Sequence, residues 1–263
     1  MKMPTGLSSD LEVALEAAQN AAGVMINAYQ TDIVAASKGD KGIVTEFDTR
    51  AEQAIVETLL AKSTYSILGE ESGLSDKQSE AMWVIDPIDG TTNFARGLPL
   101  FAVSIALMRG HDIVLGVIFN PTTNEYFFAE RGQGAYRNGS RVQVSSVQDP
   151  TRAVVCLERG YGEEDVRRMA EIIRRLGAKY NFRILGTTAL ELCTVAAGLT
   201  DAFISSGDEL WDFAAGVLLV QEAGGNFTDW RGDQWNGRVA FIFASNGHLH
   251  ELLLKEIRNL QPG

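Results

Sequence analysis

The sequence predicts an α+β first half joined to an α/β second half, both within a single domain covering residues 1–263. Three observations carry that prediction. Apolar residues recur at helical spacing twice before position 62. Six short strand-like runs divided by turn residues then fill 65–139, and beyond 152 strands alternate with helical patterns. The halves, 1–145 and 146–263, meet at SSVQDPTR (Ser145–Arg152), a stretch too short for a flexible linker.

Ser8 or Ser9 caps a first helix reaching about Tyr29, because Leu11, Val13, Leu15, Ala18, Ala22, Met25 and Ile26 fall near one stripe. The glycine-bearing loop ASKGDKGIVTEFD follows, and Asp48 is expected to open a second amphipathic helix running to about Ala61. The runs YSIL, MWVID, FAVSIALM, DIVLGVIF, EYFFAE and GAYRNG read as strands of a mostly antiparallel sheet. The second half reads as strand AVVCL, a helix from about Glu164 to Leu176, strand FRIL, a helix from Thr188 to Ala197, strand DAFIS, and a helix from Asp212 to Ala223. Such alternation predicts crossover connections.

A net charge of −11 over 263 residues, 45% of them hydrophobic and 22% charged, describes an ordinary globular chain. It argues against nucleic acid or an anionic membrane as the partner. An anionic substrate would need local positive charge or metal to reverse the field. The two cysteines, Cys156 and Cys193, sit in apolar runs and are expected as buried free thiols. No window holds 18 uninterrupted apolar residues and MKMPTGLSSD lacks a leader's apolar core, so a cytoplasmic location is expected.

The chemistry concentrates in WVIDPIDGTTNF. Asp86 and Asp89 follow the apolar run Trp83–Ile85, where two like charges are costly unless something compensates them. With a turn at Pro87, both carboxylates and the Ile88 carbonyl converge as hard oxygen ligands suited to Mg²⁺. Gly90-Thr91-Thr92-Asn93 then offers a helix start able to hold a phosphate. Glu70 and Glu71 also end an apolar strand, and Asp212 heads a helix. Asp48 either caps its helix or pairs with a hydroxyl such as that of Thr91 to deprotonate a metal-activated water.

GEES (69–72), WVIDPIDGTTNF (83–94), WDFAAG (211–216), EAGG (222–225), VTEFD (44–48) and GTTALELC (186–193) together resemble the inositol monophosphatase family of Mg²⁺-dependent, lithium-sensitive phosphatases, in order along nearly the whole chain. The resemblance implies a layered α/β/α/β/α sandwich. It implies that Glu70, Asp86 and the Ile88 carbonyl hold one metal, that Asp86, Asp89 and Asp212 hold a second, and that a third ion sits near Glu70. Two to three Mg²⁺ ions are therefore expected, with Mn²⁺ as the alternative. Asp48, Glu70 and Thr91 would form the catalytic group. Gly90 and Thr91 would give N–H groups to the phosphate, and Gly186, Thr187, Thr188 and Ala189, with Asp212, would line the substrate side.

One departure stands out. Inositol-selective members carry a glutamate seven residues before the WD aspartate, and Ser205 occupies that place, which points to a broader substrate range. The resemblance implies hydrolysis of a small phosphorylated polyol or sugar, most simply inositol monophosphate, by a homodimer. The alternatives are a fructose-1,6-bisphosphatase or dual sugar phosphatase, an enzyme for an adenosine 3′,5′-bisphosphate type of substrate, or, in another class, a regulatory binding protein with secondary hydrolysis. Other signals read blandly: GQGAYRNG as a hairpin, His248 and His250 as non-ligands, and the Arg167-Arg168 and Arg174-Arg175 pairs as a solvated helix face.

Overall fold

The computed structural model describes residues 6–39, 42–160, 162–235 and 241–258, and within them the chain stacks in layers, α/β/α/β/α. Residues 1–5, half of the stretch read for a leader, lie outside the described residues. The first layer is α1 (Ser9–Ala28) with α2 (Glu46–Lys62). The Ser8 side chain accepts the Leu11 N–H to start α1, as expected. The start of α2 differs from expectation: Thr45 is the cap, and Asp48 closes a capping box from the third helical position. Between the helices, β1 (Ala35–Ser37) and β2 (Ile43–Thr45) pair antiparallel in a stretch that reads as loop from sequence. Leu11, Ala14, Ala18 and Met25 of α1 join Ala51, Ile55 and Leu59 of α2 in one core against the first sheet.

That sheet has eight strands: β3 (Ser66–Gly69), β4 (Gly73–Ser75), β5 (Ala81–Asp89), β6 (Ala102–Arg109), β7 (Asp112–Asn120), β8 (Glu125–Glu130), β9 (Gly134–Arg137) and β10 (Ser140–Val142). Their order is β10-β9-β8-β7-β6-β5-β3-β4, antiparallel throughout except that β3 runs parallel to β5. Helices cover both faces, so the interiors of β6 and β7 are buried on both sides and read as near-continuous apolar runs, with Ser104 the polar exception. GAYRNG is the β9–β10 hairpin, and a five-residue helix, α3 (Thr91–Ala95), follows β5.

The second sheet contains β11 (Val154–Glu158), β12 (Asn181–Arg183), β13 (Ala202–Ser206), β14 (Asn226–Thr228) and β15 (Phe241–Ser245), ordered β12-β11-β13-β15-β14. The crossover expectation holds where α4 (Glu163–Leu176) and α5 (Thr188–Ala196) link β11, β12 and β13 in parallel. The last two strands, which the sequence reading did not name, are antiparallel to their neighbours.

Between the sheets lie α5 and α6 (Leu210–Glu222), touching strands of both. Phe213–Val220 is buried without a break, as a helix enclosed on every side requires. On the far face α4 and α7 (His250–Ile257) set Met169, Ile172, Leu253 and Ile257 against Val155, Ile204 and Phe243. The exposed side chains of Arg167 and Arg174 pair with Glu163 and Glu171 on the solvated face of α4, whereas Arg168 is largely buried. Cys156 and Cys193 are buried free thiols. No helix among the described residues is long and apolar enough to cross a membrane.

Candidate active site

β3 and β5 lie side by side in parallel, with Gly69 opposite Ile85, so both carry carboxylates to the same edge of the sheet. Sequence places a turn at Pro87. The structure instead carries β5 through Pro87 to Asp89 with an irregularity in its pairing to β6 between Asp86 and Asp89, at a residue that has no N–H to give a ladder. Asp86 Oδ1 accepts the Ile88 N–H at 2.9 Å. Glu70 follows β3 directly, and Glu52 of α2 fixes the turn beyond it by accepting the Glu71 and Ser72 N–H groups at 2.9 and 2.8 Å.

Two helix starts in the middle layer meet these strand ends. Asp89 Oδ2 accepts the Thr187 hydroxyl and, at 2.9 Å, the Ala189 N–H at the head of α5. Asp212 is not the cap of α6 but its third residue, with Oδ2 accepting the Glu209 N–H at 2.7 Å. Gly90 turns the chain between β5 and α3 at φ 89, and a Cβ there would stand 2.9 Å from the Leu100 carbonyl oxygen, so only glycine fits. Asn93 ties the surrounding loops together, donating to the Leu100 and Leu185 carbonyls at 2.8 Å each.

The Asp48–Thr91 pairing exists. The Thr91 hydroxyl lies 2.8 Å from Asp48 Oδ1 and 3.0 Å from the Ile88 carbonyl oxygen, while Asp48 Oδ2 accepts both the N–H and the hydroxyl of Thr45 at 2.7 Å. Burial raises the Asp48 carboxyl above its usual range, against the lowering effect of the Thr45 and Thr91 hydrogen bonds. Lys38, just past β1, reaches Glu70 Oε1 at 2.9 Å and also pairs with Glu71. Burial pulls its pKa down, yet Glu71 and Glu70 together raise it.

A cleft of about 220 Å³ brings together Glu70, Asp86, Ile88, Asp89, Gly90, Thr91, Gly186, Thr187, Thr188 and Asp212. Asp48 and Ala189 stand behind this wall. Ser205 is fully buried in β13 and is not among the lining residues; Asp208, three positions on, is. Glu158, Arg159 and Ile184 also line the cleft. Glu158 directly follows the apolar run VVCL, which is the strand-end signal that marks Glu70 and Asp86, whereas Asp208 stands two residues past β13, behind Ser205, Ser206 and Gly207. His250, away from the cleft, lies buried between the Ser245 and Thr228 hydroxyls at 2.8 and 3.0 Å.

Among the described residues no three His, Cys, Asp or Glu side chains stand in a geometry that holds an ion as they are. Each cleft carboxylate turns one oxygen to a protein donor: Glu70 to Lys38, Asp86 to Ile88, Asp89 to Thr187 and Ala189, Asp212 to Glu209. The donor set is nonetheless all oxygen, as Mg²⁺ and Mn²⁺ require, and it fits those ions. Burial first, then mutual repulsion, raises Asp86 and Asp212 well above the usual carboxylate range. Burial lifts Asp89 to about 7 despite its two hydrogen bonds.

These acids bind protons more tightly folded than unfolded, so the ion-free protein gains stability as pH falls from about 7 toward the unfolded value near 4. Glu171, held at about 2 by Arg174 and Arg175, acts oppositely, but it is exposed and screened. In chelator the Tm is expected to be higher at about pH 5.5 than at about pH 8, by roughly 5 °C. Added Mg²⁺ should stabilise more at the higher pH. Melts at both values read this, and an ion-free protein more stable at the higher pH contradicts it.

The sequence profile of the inositol monophosphatase family matches residues 7–261. The Nus factor SuhB of Pasteurella multocida is 38% identical over 265 residues, covering 96% of each chain. The fructose-1,6-bisphosphatase/inositol-1-monophosphatase of Thermotoga maritima is 35% identical over 239 residues, 90% of this chain and 91% of that one. The crystal structure of extragenic suppressor protein suhB from Bartonella henselae superposes with a TM-score of 0.91 at 36% identity, covering 95% of this chain and 99% of the other.

Proposed function

The chain belongs to the inositol monophosphatase family, and on that premise we propose that it hydrolyses a small polyol or sugar phosphate, inositol monophosphate first, with the help of Mg²⁺. The observation that carries the reading is the meeting of Glu70, Asp86, Asp89 and Asp212 in one cleft beside the Asp48–Thr91 hydrogen bond. Glu70, Asp86 and the Ile88 carbonyl would hold one ion, and Asp86, Asp89 and Asp212 a second, with a third held more weakly near Glu70. Bound there, Mg²⁺ or Mn²⁺ supplies charge that attracts a phosphate and lowers the pKa of a coordinated water.

The chain's own residues do the rest. Gly90 and Thr91 would present N–H groups to the phosphate. Thr91 Oγ would orient the attacking water and take its proton as the Thr91 hydroxyl passes its own to Asp48 Oδ1. Thr45 occupies Asp48 Oδ2 and keeps Oδ1 aimed at Thr91. A base whose burial strengthens its hold on a proton suits that step near neutral pH. Gly186, Thr187, Thr188 and Ala189 would border the alcohol.

A phosphate-release panel of small phosphomonoesters tests the reading: turnover should require Mg²⁺, vanish in chelator and return when Mg²⁺ is restored. Full activity in excess chelator sinks it. The Nus factor name of a 38% identical relative favours a second reading, a binding role. Recovery of one stoichiometric macromolecular partner, with no turnover across the panel, would put that reading first.

A further inference from the structure

We infer that Asp208, flanked by Glu158, accepts hydroxyl hydrogen bonds from the alcohol half of the substrate, and that this half is a neutral polyol or sugar rather than one bearing a second phosphate. The inference rests on the phosphatase reading above and narrows it.

Asp208 is 3% exposed yet lines the cleft. Its Oδ1 accepts the Thr188 hydroxyl at 3.3 Å, whereas Oδ2 has no partner in hydrogen-bond geometry among the described residues. A buried acceptor left unmatched is costly, and among the described residues the Ser205 hydroxyl is the other donor that faces this carboxylate, so a hydroxyl reaching in from the cleft would complete its hydrogen bonding. Ser205 fills that role only in part: its hydroxyl faces the Asp208 carboxylate from inside the fold and steadies its charge, yet Ser205 Oγ and Asp208 Oδ2 do not reach full hydrogen-bond geometry. The acidic acceptor that the family resemblance would put at 205 is thus offered from 208.

The turn is built to hold Asp208 there. Gly207 adopts φ +90, and a Cβ on it would stand 2.8 Å from Asp165 Oδ2, so the backbone packs directly on α4. Asp165 is in turn fixed by Arg168 Nη1 at 2.8 Å. Glu158 ends β11 opposite Ser205 of β13, so adjacent strands deliver both acids to one edge.

Charge decides the class of alcohol. On this side two carboxylates, Glu158 and Asp208, face the cleft with one exposed guanidinium, Arg159. A second phosphate would meet the buried Asp208 and the half-buried Glu158 against one screened opposite charge. Hydroxyls are neutral, donate, and satisfy the waiting oxygen. A site that bonds hydroxyls rejects ligands lacking them.

The test is steady-state kinetics of the full chain in Mg²⁺ on inositol 1-phosphate and cyclohexyl phosphate, the same ring without hydroxyls. Wild type is expected to favour the inositol ester by about 10- to 100-fold in kcat/KM, and Asp208→Asn to shrink that ratio by about 10-fold, mainly through KM. An unchanged ratio, with both esters affected alike or neither affected, overturns the assignment. Should Asp208→Asn fail to fold, Glu158→Gln is expected to shrink the ratio by about 3-fold, and an unchanged ratio again overturns it. A wild-type preference for fructose 1,6-bisphosphate over fructose 1-phosphate above about 10-fold overturns the neutral-alcohol conclusion. Turnover of neither ester by wild type removes the phosphatase reading itself, a failure visible before any substitution is made.

Discussion

Asp89→Asn or Asp212→Asn is expected to lower kcat/KM by about 10³-fold or more, some 4 kcal/mol, in a protein that still folds. An amide is a neutral and poorer ligand for a hard cation, so each change removes charge where an ion would sit. The fold should survive because the amide oxygen can keep the native contacts. At 89 it can accept the Thr187 hydroxyl and Ala189 N–H, and at 212 the Glu209 N–H. Each change also relieves repulsion among buried acids that raise one another's pKa. In chelator the variants should therefore melt no lower than wild type at about pH 8, even as activity collapses. Activity within about tenfold of wild type in saturating Mg²⁺ would remove the residue from the ligand set.

Thr91→Ala should depress kcat by about 10²-fold while KM changes only a few-fold, because positioned proton transfer acts in the transition state. The substitution leaves Asp48 Oδ1 and the Ile88 carbonyl without the hydroxyl they share, so a stability loss of about 1–2 kcal/mol accompanies it. Thr91→Ser keeps the hydroxyl and should recover most of kcat. An alanine variant with unchanged kcat refutes the role. A phosphoenzyme trapped by rapid quench would refute direct attack by water.

Three of the cleft carboxylates, Glu70, Asp86 and Asp89, were legible because an acid directly after a buried apolar strand needs a reason to be there. Asp48 and Asp212 were found for partly mistaken reasons. Each reads as a helix-opening residue, whereas each is the third residue of its helix, with the capping box turning one carboxylate oxygen back and leaving the other for a different partner. Lys38 and Glu52 escaped notice, and Asn93 was read as part of a phosphate-holding helix start rather than as a loop tie, because their significance is tertiary. Lys38 sits in a hairpin with no apolar alternation, and Glu52 and Asn93 look like ordinary helical polar residues until the loops they hold come into view. Glu158 did carry the strand-end signature but no motif drew attention to it, and Asp208, set off from its strand by Gly207, did not carry it. The antiparallel β14 and β15 were missed because short strands late in an α/β pattern resemble loops.

The middle layer sets the order in which a nascent chain can become this molecule. The eight-stranded sheet is complete by Val142, but one of its faces, with Val84, Ala106, Ile118 and Phe127, is covered only by α5 and α6, which begin at Thr188 and Leu210. Until those helices leave the ribosome, that face is bare and sticky, an obvious substrate for chaperones. Contacts of such long sequence separation close slowly, and the last of them brings Asp212 to residues synthesised more than a hundred positions earlier. A truncated or stalled chain therefore presents an aggregation-prone sheet and no cleft at all.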